Sequence, residues 1–499
     1  MYGATLRRIQ AQGGERSRFG MMALMWICHS ERPLGADELC RALAVEIGST
    51  DFDPDNVPSI WTVLSCCQGL FTVDKEGSTA RLVHFTLREY LSGHLDLFQK
   101  PHSVIAETCL TYLTSQQVMN LPATLPLGTQ DTPFLEYSAL HWGTHAKKEL
   151  SDDAKSLALK LFGQYDYHIS IWLLLKPRFR WFYERSDRFQ FFTGLHCASF
   201  FGLVEVVRSL IEIGGLGINQ EGPVGITPLG WAARNGHEEV VQLLLEWGDV
   251  NPDKPDDGGR SPLAWAAKNG HEGVVQLLLG RGDINPNRLD GLNQTPPLAH
   301  AARNGHEGVV RLLLWRGDVS PDRRDALDRT PLLFAAENGH EGVVQLLLGR
   351  GDVNPERLDT LDRTPLLYAV MNGHARVVQL LLERGDVNPD RLDSLYRTPL
   401  LYAAENGHER VVRQLLRRGG INHDRLDGLG RTPLAYAARD GHDRVVRLLL
   451  EQGDVNPDRR DRFGLKPLWY ADNNKHKGVV KLILDWKSSR LPPPPSLKA

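Results

Sequence analysis

The sequence predicts a mainly α protein: a solenoid of nine copies of one two-helix unit, preceded by a winged-helix-like α+β domain and a helical linker. Three observations lead there. The tripeptide Thr-Pro-Leu, or a variant of it, recurs with its first residue at Thr193, Thr227, Ser261, Thr295, Thr330, Thr364, Thr398, Thr432 and Lys466. The step is 34 residues throughout, except for one of 35 at Pro296-Pro297. A second marker, Gly-His, keeps the same register at His237, His271, His306, His340, His374, His408 and His442, then degenerates to Lys475-His476. Two markers in phase identify a repeat architecture. Ahead of the array, three helical patterns are followed by two short alternating runs.

From the N-terminus, residues 1–17 are polar, carry Arg7, Arg8, Arg16 and a Gly-Gly pair, and are expected to be a flexible extension. Within 18–114, Phe19–Ser30 reads as a buried helix, Gly35–Ile47 as an amphipathic helix and Pro58–Gly69 as a third. Leu70–Asp74 and Ala80–Phe85 alternate as strands around Lys75-Glu76-Gly77-Ser78, which completes a winged-helix order. A DNA-reading helix needs Arg, Lys, Asn or Gln for phosphates and base edges. The third helix offers only Gln68 and no positive charge, so nucleic acid is not an expected partner. Residues 115–190 read as a helical connecting region. The degenerate first copy carries Phe191, Phe192, Phe200 and Phe201 and is expected to dock near Ile169–Leu175.

One complete copy explains why the unit is repeated. Thr330 can cap a helix, and Pro331 in its first turn gives up an amide that had no partner. Ala335 and Ala336 keep that helix thin, and Gly339 can take the left-handed conformation that ends it. Val343, Val344, Leu346, Leu347 and Leu348 supply the apolar side of a second helix. Both helices fall below the roughly 12–15 residues at which isolated helices become marginal, so neighbouring copies must cover their apolar faces. Residues 488–499, with Pro492 to Pro495, read as a proline-rich extended tail.

At these residues the chain resembles the ankyrin repeat, with nine copies over 191–487. Two departures stand out. The histidine expected after Thr-Pro-Leu survives only as His196; Leu333, Leu367, Leu401, Ala264 or Ala435 stands elsewhere. The loop Gly351-Asp352-Val353-Asn354 is shortened and followed by a longer Pro-x-Arg-Leu-Asp segment, so the connecting loops are expected to be reshaped. Further forward, Met22 to Ile27, Arg32-Pro33-Leu34, Asp37 to Leu43 and Leu82 to Leu91 are similar to the winged-helix segment that follows the nucleotide-binding domain in fungal NACHT-type signalling NTPases. Many such proteins carry ankyrin repeats and resemble innate-immunity receptors in plan.

The chemistry of catalysis is not written in this chain. No Gly-x-x-x-x-Gly-Lys-Ser/Thr loop occurs, so no nucleotide cofactor is expected, and no Gly-x-Ser-x-Gly elbow occurs. His306-Glu307 and His340-Glu341 begin like a zinc-protease motif, but Val310 and Val344 stand where the second histidine would be. The Gly-His residues recur at the spacing of packed helices, too far apart to share one metal, and are read as braces of the loop. Arg-Gly-Asp at 281–283, 316–318, 350–352 and 384–386 is read as part of the repeat loop and not as an adhesion signal. No catalytic, cofactor or metal residue is assigned, and no small-molecule substrate is expected.

The expected partner is a protein. The ankyrin resemblance implies recognition on the concave face, by hairpin tips and the exposed part of each first helix. Carried over, this assigns Arg260, Arg329, Arg363, Arg397 and Arg431 at the tips, with Ile226, Gln294 and Leu465 in the same column. On the first helices it assigns Arg234, Lys268, Arg303, Glu337, Met371, Glu405 and Arg439. An aromatic column, Trp231, Trp265, Phe334, Tyr368, Tyr402, Tyr436 and Tyr470, is read as packing between copies. The formal charge of −3 gives no global attraction to nucleic acid or anionic membrane. The six cysteines are sparse and irregular, as in a reducing compartment. The longest apolar run, near Met21–Cys28, falls far short of the roughly 20 residues that span a bilayer. The expected reading is a cytoplasmic recognition scaffold, with the nucleus left open. Its rivals are a fragment of a signalling NTPase whose nucleotide-binding part lies outside this chain, and a DNA-associated winged-helix regulator.

Overall fold

The computed structural model describes residues 2–74, 78–121, 132–163, 191–214, 217–291 and 293–490. The chain divides into two units, Met1–Asp257 and Gly258–Ala499.

The first unit opens with helix α1, Tyr2–Gln10, where the sequence suggested a flexible extension. Two apolar side chains decide this: Leu6 and Ile9 are buried, and a Cβ on Gly20 would come within 2.6 Å of Ile9. The glycine therefore lets α1 lie close against α2, Gly14–His29. The Tyr2 hydroxyl also meets Thr86 Oγ1 at 2.8 Å. Helix α3, Ala36–Ala44, is started by Glu38, which accepts from the Gly35 amide and from both terminal nitrogens of Arg32. Ser59 caps α4, Ile60–Cys66. Strands β1, Phe71–Val73, and β2, Ala80–Leu82, pair antiparallel with Phe71 opposite Leu82, and α5, Phe85–Gly93, follows. The turn residues 75–77 lie outside the described residues. All six cysteines are buried and unbridged; burial pushes the thiols of Cys28 and Cys40 up to about 11.

Helices α6, Pro101–Leu113, α7, Gln116–Met119, α8, Pro133–Lys148, and α9, Asp152–Phe162, complete the part before the repeats. Trp26, Phe134 and Tyr137 join α2 to α8 through edge-on ring contacts of 5.6 and 5.8 Å. The first repeat helix, Gly194–Phe201, docks here. A Cβ on Gly143 would fall on the Phe201 ring, and Trp142 meets that ring at 5.2 Å. The expected docking segment, Ile169–Leu175, lies outside the described residues. Two repeats belong to this unit, and the second pairs Pro228–Asn235 with Glu238–Glu246.

Seven repeats form the second unit. Their inner helices, from Pro262–Asn269 to Pro467–Asn473, pack against one another in sequence, and so do their outer helices, from Glu272–Leu279 to Lys477–Arg490. Each inner helix starts at the repeat proline, and Ser261, Thr330, Thr364, Thr398 and Thr432 cap as the sequence proposed. One copy differs. The cap position before Pro297–Asn304 is Pro296, so Thr295 stands one residue earlier than its apparent equivalents. The extra residue therefore sits in the hairpin tip before Pro296, where it disturbs neither helical layer.

The Gly-His pair is the seam between copies. His374 Nε2 meets the Glu337 carbonyl of the previous copy at 3.0 Å, and His340, His408, His442 and His476 do the same at 2.8–3.0 Å. The ring lies against the previous glycine: at Gly339, with φ of 75°, a Cβ would approach His374 Nδ1 to 2.6 Å. The ring nitrogen is thus spent on a carbonyl, as a brace requires.

Candidate recognition surface

Beneath each hairpin tip of the second unit lies a buried carboxylate: Asp290, Asp325, Asp359, Asp393, Asp427 and Asp461. One oxygen accepts two backbone amides of the tip. Leu361 and Arg363 donate to Asp359 Oδ1 at 2.9 and 2.8 Å, and the same pair recurs at Asp325, Asp393, Asp427 and Asp461. At Asp290 the donors are Asn293 and Thr295, one residue further on each, which confirms where the extra residue lies.

The second oxygen meets the inner helix. Tyr368, Tyr402, Tyr436 and Tyr470 donate their hydroxyls to it at 2.5–2.8 Å, and His300 Nε2 approaches Asp290 at 3.2 Å. Phe334 has no hydroxyl, and there Arg329 turns inward and binds Asp325 Oδ2 through Nε and Nη2 at 2.9 and 2.8 Å. Burial raises the Asp290 carboxyl, but the bonds from His300 and the two amides outweigh it and hold the group at about 2. Burial and the Asp393 bond push the Tyr402 phenol up to about 12. The aromatic column is therefore packing, with a polar handle at its four tyrosines, and the paired aspartate column was missed. Its signal was present in the sequence as an aspartate at constant spacing before each Thr-Pro.

The candidate tip arginines lie over these rings. Arg329 and Arg303 both sit 4.5 Å from the Phe334 centroid. Arg363 lies over Tyr368, Arg397 over Tyr402 and Tyr436, Arg431 over Tyr436 and Tyr470, and Arg260 over Trp265, as does Lys268. Arg234 covers Trp231 in the first unit. A network ties Arg397 to Glu405 at 2.8 Å, Glu405 to Arg439 at 2.9 Å, and Arg439 to Asp440 at 2.8 Å. Arg234, Lys268, Arg303, Glu337, Met371, Glu405 and Arg439, like the five tip arginines, are part-exposed.

The outermost tip side chains are different residues. Leu327, Leu361, Leu395, Leu429 and Phe463 stand two places after each buried aspartate and are 40–65% exposed. Beside them Tyr396 is exposed with φ of 59°, where equivalent tips carry Gly430 and Gly464. Successive tips are stitched together: the amides of Thr360, Ser394 and Arg462 donate to the carbonyls of Leu327, Leu361 and Leu429 at 3.1–3.2 Å. This apolar row escaped the sequence reading because a recurrent leucine reads as core until the tip geometry is known.

Other motifs resolve as internal contacts. In each Arg-Gly-Asp of 316–318, 350–352 and 384–386 the arginine binds the aspartate of the same tripeptide at 2.6–2.8 Å and the last turn of the preceding outer helix at 2.7–2.8 Å. Arg281 likewise binds Asp283. The long Pro-x-Arg-Leu-Asp segment forms a ladder of ion pairs between copies: Arg357 to Asp322, Arg391 to Glu356, Arg425 to Asp390 and Arg459 to Asp424. The isolated Thr-His contact exists where the sequence kept it, Thr193 Oγ1 to His196 Nδ1 at 2.9 Å. On the winged helix, α4 exposes Trp61 at 78% with Thr62 and Ser65 and carries no cation.

A family model for ankyrin repeats in three copies matches residues 195–290, 283–359, 351–427 and 419–490. A second, the winged helix domain of GPI inositol-deacylase, matches residues 9–100 and so takes in the end of α1. Among solved structures, the crystal structure of the human ASB11 ankyrin repeat domain is similar at 27% identity and a TM-score of 0.41, covering 46% of this chain and 98% of that one. Comparison with curated proteins gives no match.

Proposed function

The chain belongs to the ankyrin-repeat family, and from that premise we propose that it is a non-enzymatic recognition scaffold whose protein partner binds the inner helices and hairpin tips. Ankyrin repeats generally mediate protein–protein interaction. One observation carries the choice of face. Among the positions that recur between copies, the caps and the tip aspartates are buried, the seam histidines part-buried, and all are bonded. The positions that differ, Glu337, Met371, Glu405 and Arg439 on the helices and Asp328, Asp362 and Tyr396 at the tips, reach solvent in whole or part. Because the arginines are braced over rings, a partner meets a preorganised face and forfeits little side-chain entropy on binding.

A winged helix followed by ankyrin repeats is the order of the fungal NACHT–ankyrin proteins that the N-terminal residues resemble. We place this chain as the sensor or adaptor part of such an NLR-like signalling protein, acting in the cytoplasm. A photo-crosslinking residue at Met371 or Tyr396 should trap the partner, while one at Gln345 on the outer layer should not. Trapping only from Gln345 would overturn the assignment of the face.

A further inference from the structure

Charge on the outer layer of the second unit changes along the array. The second residue of the outer helix is Gly273, Gly308 and Gly342 in the first three copies, then Arg376, Arg410 and Arg444, and Gly478 in the last. The fifth is Gln276, Arg311, Gln345 and Gln379, and then Arg413, Arg447 and Lys481. These last six cations are all exposed, in two rows one helical turn apart. Arg444 is 85% exposed even though Glu409 bridges it, at 3.3 Å, to Arg413, at 2.6 Å. Asp443, Glu383 and Glu451 flank the block without filling it.

We propose that this block seats the protein on an acidic phospholipid surface. Successive outer helices are neighbours in one layer, so the cations leave the same side in steps of about 8–10 Å. A broad, shallow array suits a broad polyanion. It suits single-stranded nucleic acid poorly, because the outer helices Ala375–Glu383, Glu409–Leu416 and Asp443–Leu450 carry no aromatic residue on which a base could stack, and Trp486 on the last helix is part-buried with its Nε1 bonded to the Leu450 carbonyl. Those helices lie side by side, so none is presented alone to a duplex groove. Among the described residues no helix is long and apolar enough to cross a membrane. The attachment is peripheral, with each cation near the surface contributing roughly fivefold in partitioning.

Sedimentation of the full chain with vesicles tests this. Wild type should bind phosphatidylcholine vesicles containing roughly one-third phosphatidylserine, should ignore pure phosphatidylcholine, and should release as salt shortens the screening length. The Arg410→Glu/Arg413→Glu/Arg447→Glu variant, checked for native circular dichroism, should lose at least about a hundredfold in partitioning. Gln276→Glu/Gln345→Glu, the same positions outside the block, should bind as wild type does. The proposal falls if wild type ignores acidic vesicles, if the triple variant binds as well as wild type, or if wild type prefers duplex DNA or polyglutamate to the vesicles.

Discussion

Asp325 and Asp359 occupy equivalent places and are satisfied by different donors, Arg329 in one copy and Tyr368 in the other. That contrast supplies a test. In Tyr368→Phe, Arg363 can turn onto Asp359 as Arg329 does on Asp325, so the loss in urea denaturation should stay near 1 kcal/mol. Tyr368→Phe/Arg363→Met strands the carboxylate oxygen and should cost a further ~1–3 kcal/mol. The phenols also set an alkaline limit. Tyr402 is raised in the folded state, so its contribution is fully present below about pH 10 and is lost as pH rises through about 12. Thermal melts should fall over that window, less so in Tyr402→Phe. At Tyr396 the left-handed φ favours glycine, and Tyr396→Gly should raise stability by about 0.5–1 kcal/mol after the entropy cost of glycine. The arginines were legible as a column, but their direction was not. The ring and carboxylate beneath decide where each guanidinium points, and the aspartate stands nine residues before its tyrosine, across a turn that no helical or strand period spans.

At the scale of elements, caps, glycines and seam histidines were legible because each depends on neighbours in sequence. Gly339→Ala tests the seam: the new Cβ meets the His374 ring and must hold φ of 75°. A loss of about 2 kcal/mol is expected, read as lowered hydrogen-exchange protection in the helices Pro331–Asn338 and Ala375–Glu383. Unchanged protection there would show that the histidine seam does not hold the two copies together. The extra residue near Pro296-Pro297 was legible but was placed one position late, because Thr295 mimics a cap in letters while the proline behind it occupies the cap in space. Helix α1 was missed because two buried side chains, Leu6 and Ile9, in a basic segment give too weak a period.

For the molecule as a whole, the first repeat is fixed on α8 through Gly143 and Phe201. Gly143→Ala should lower exchange protection in α8 and in Gly194–Phe201 while leaving Pro331–Asn338 as it is. Within the second unit the joints largely repeat: the seam histidine from His306 to His476 and, at three successive joints, Arg316, Arg350 and Arg384 on the preceding outer helix. Where the joints are alike, a copy depends little on which copy adjoins it. Unequal recombination between such near-identical segments can add, delete or reorder whole units without leaving a misfitted junction. The varied tip residues would be carried along as exchangeable cards, so such an array could change the surface it presents while remaining able to fold.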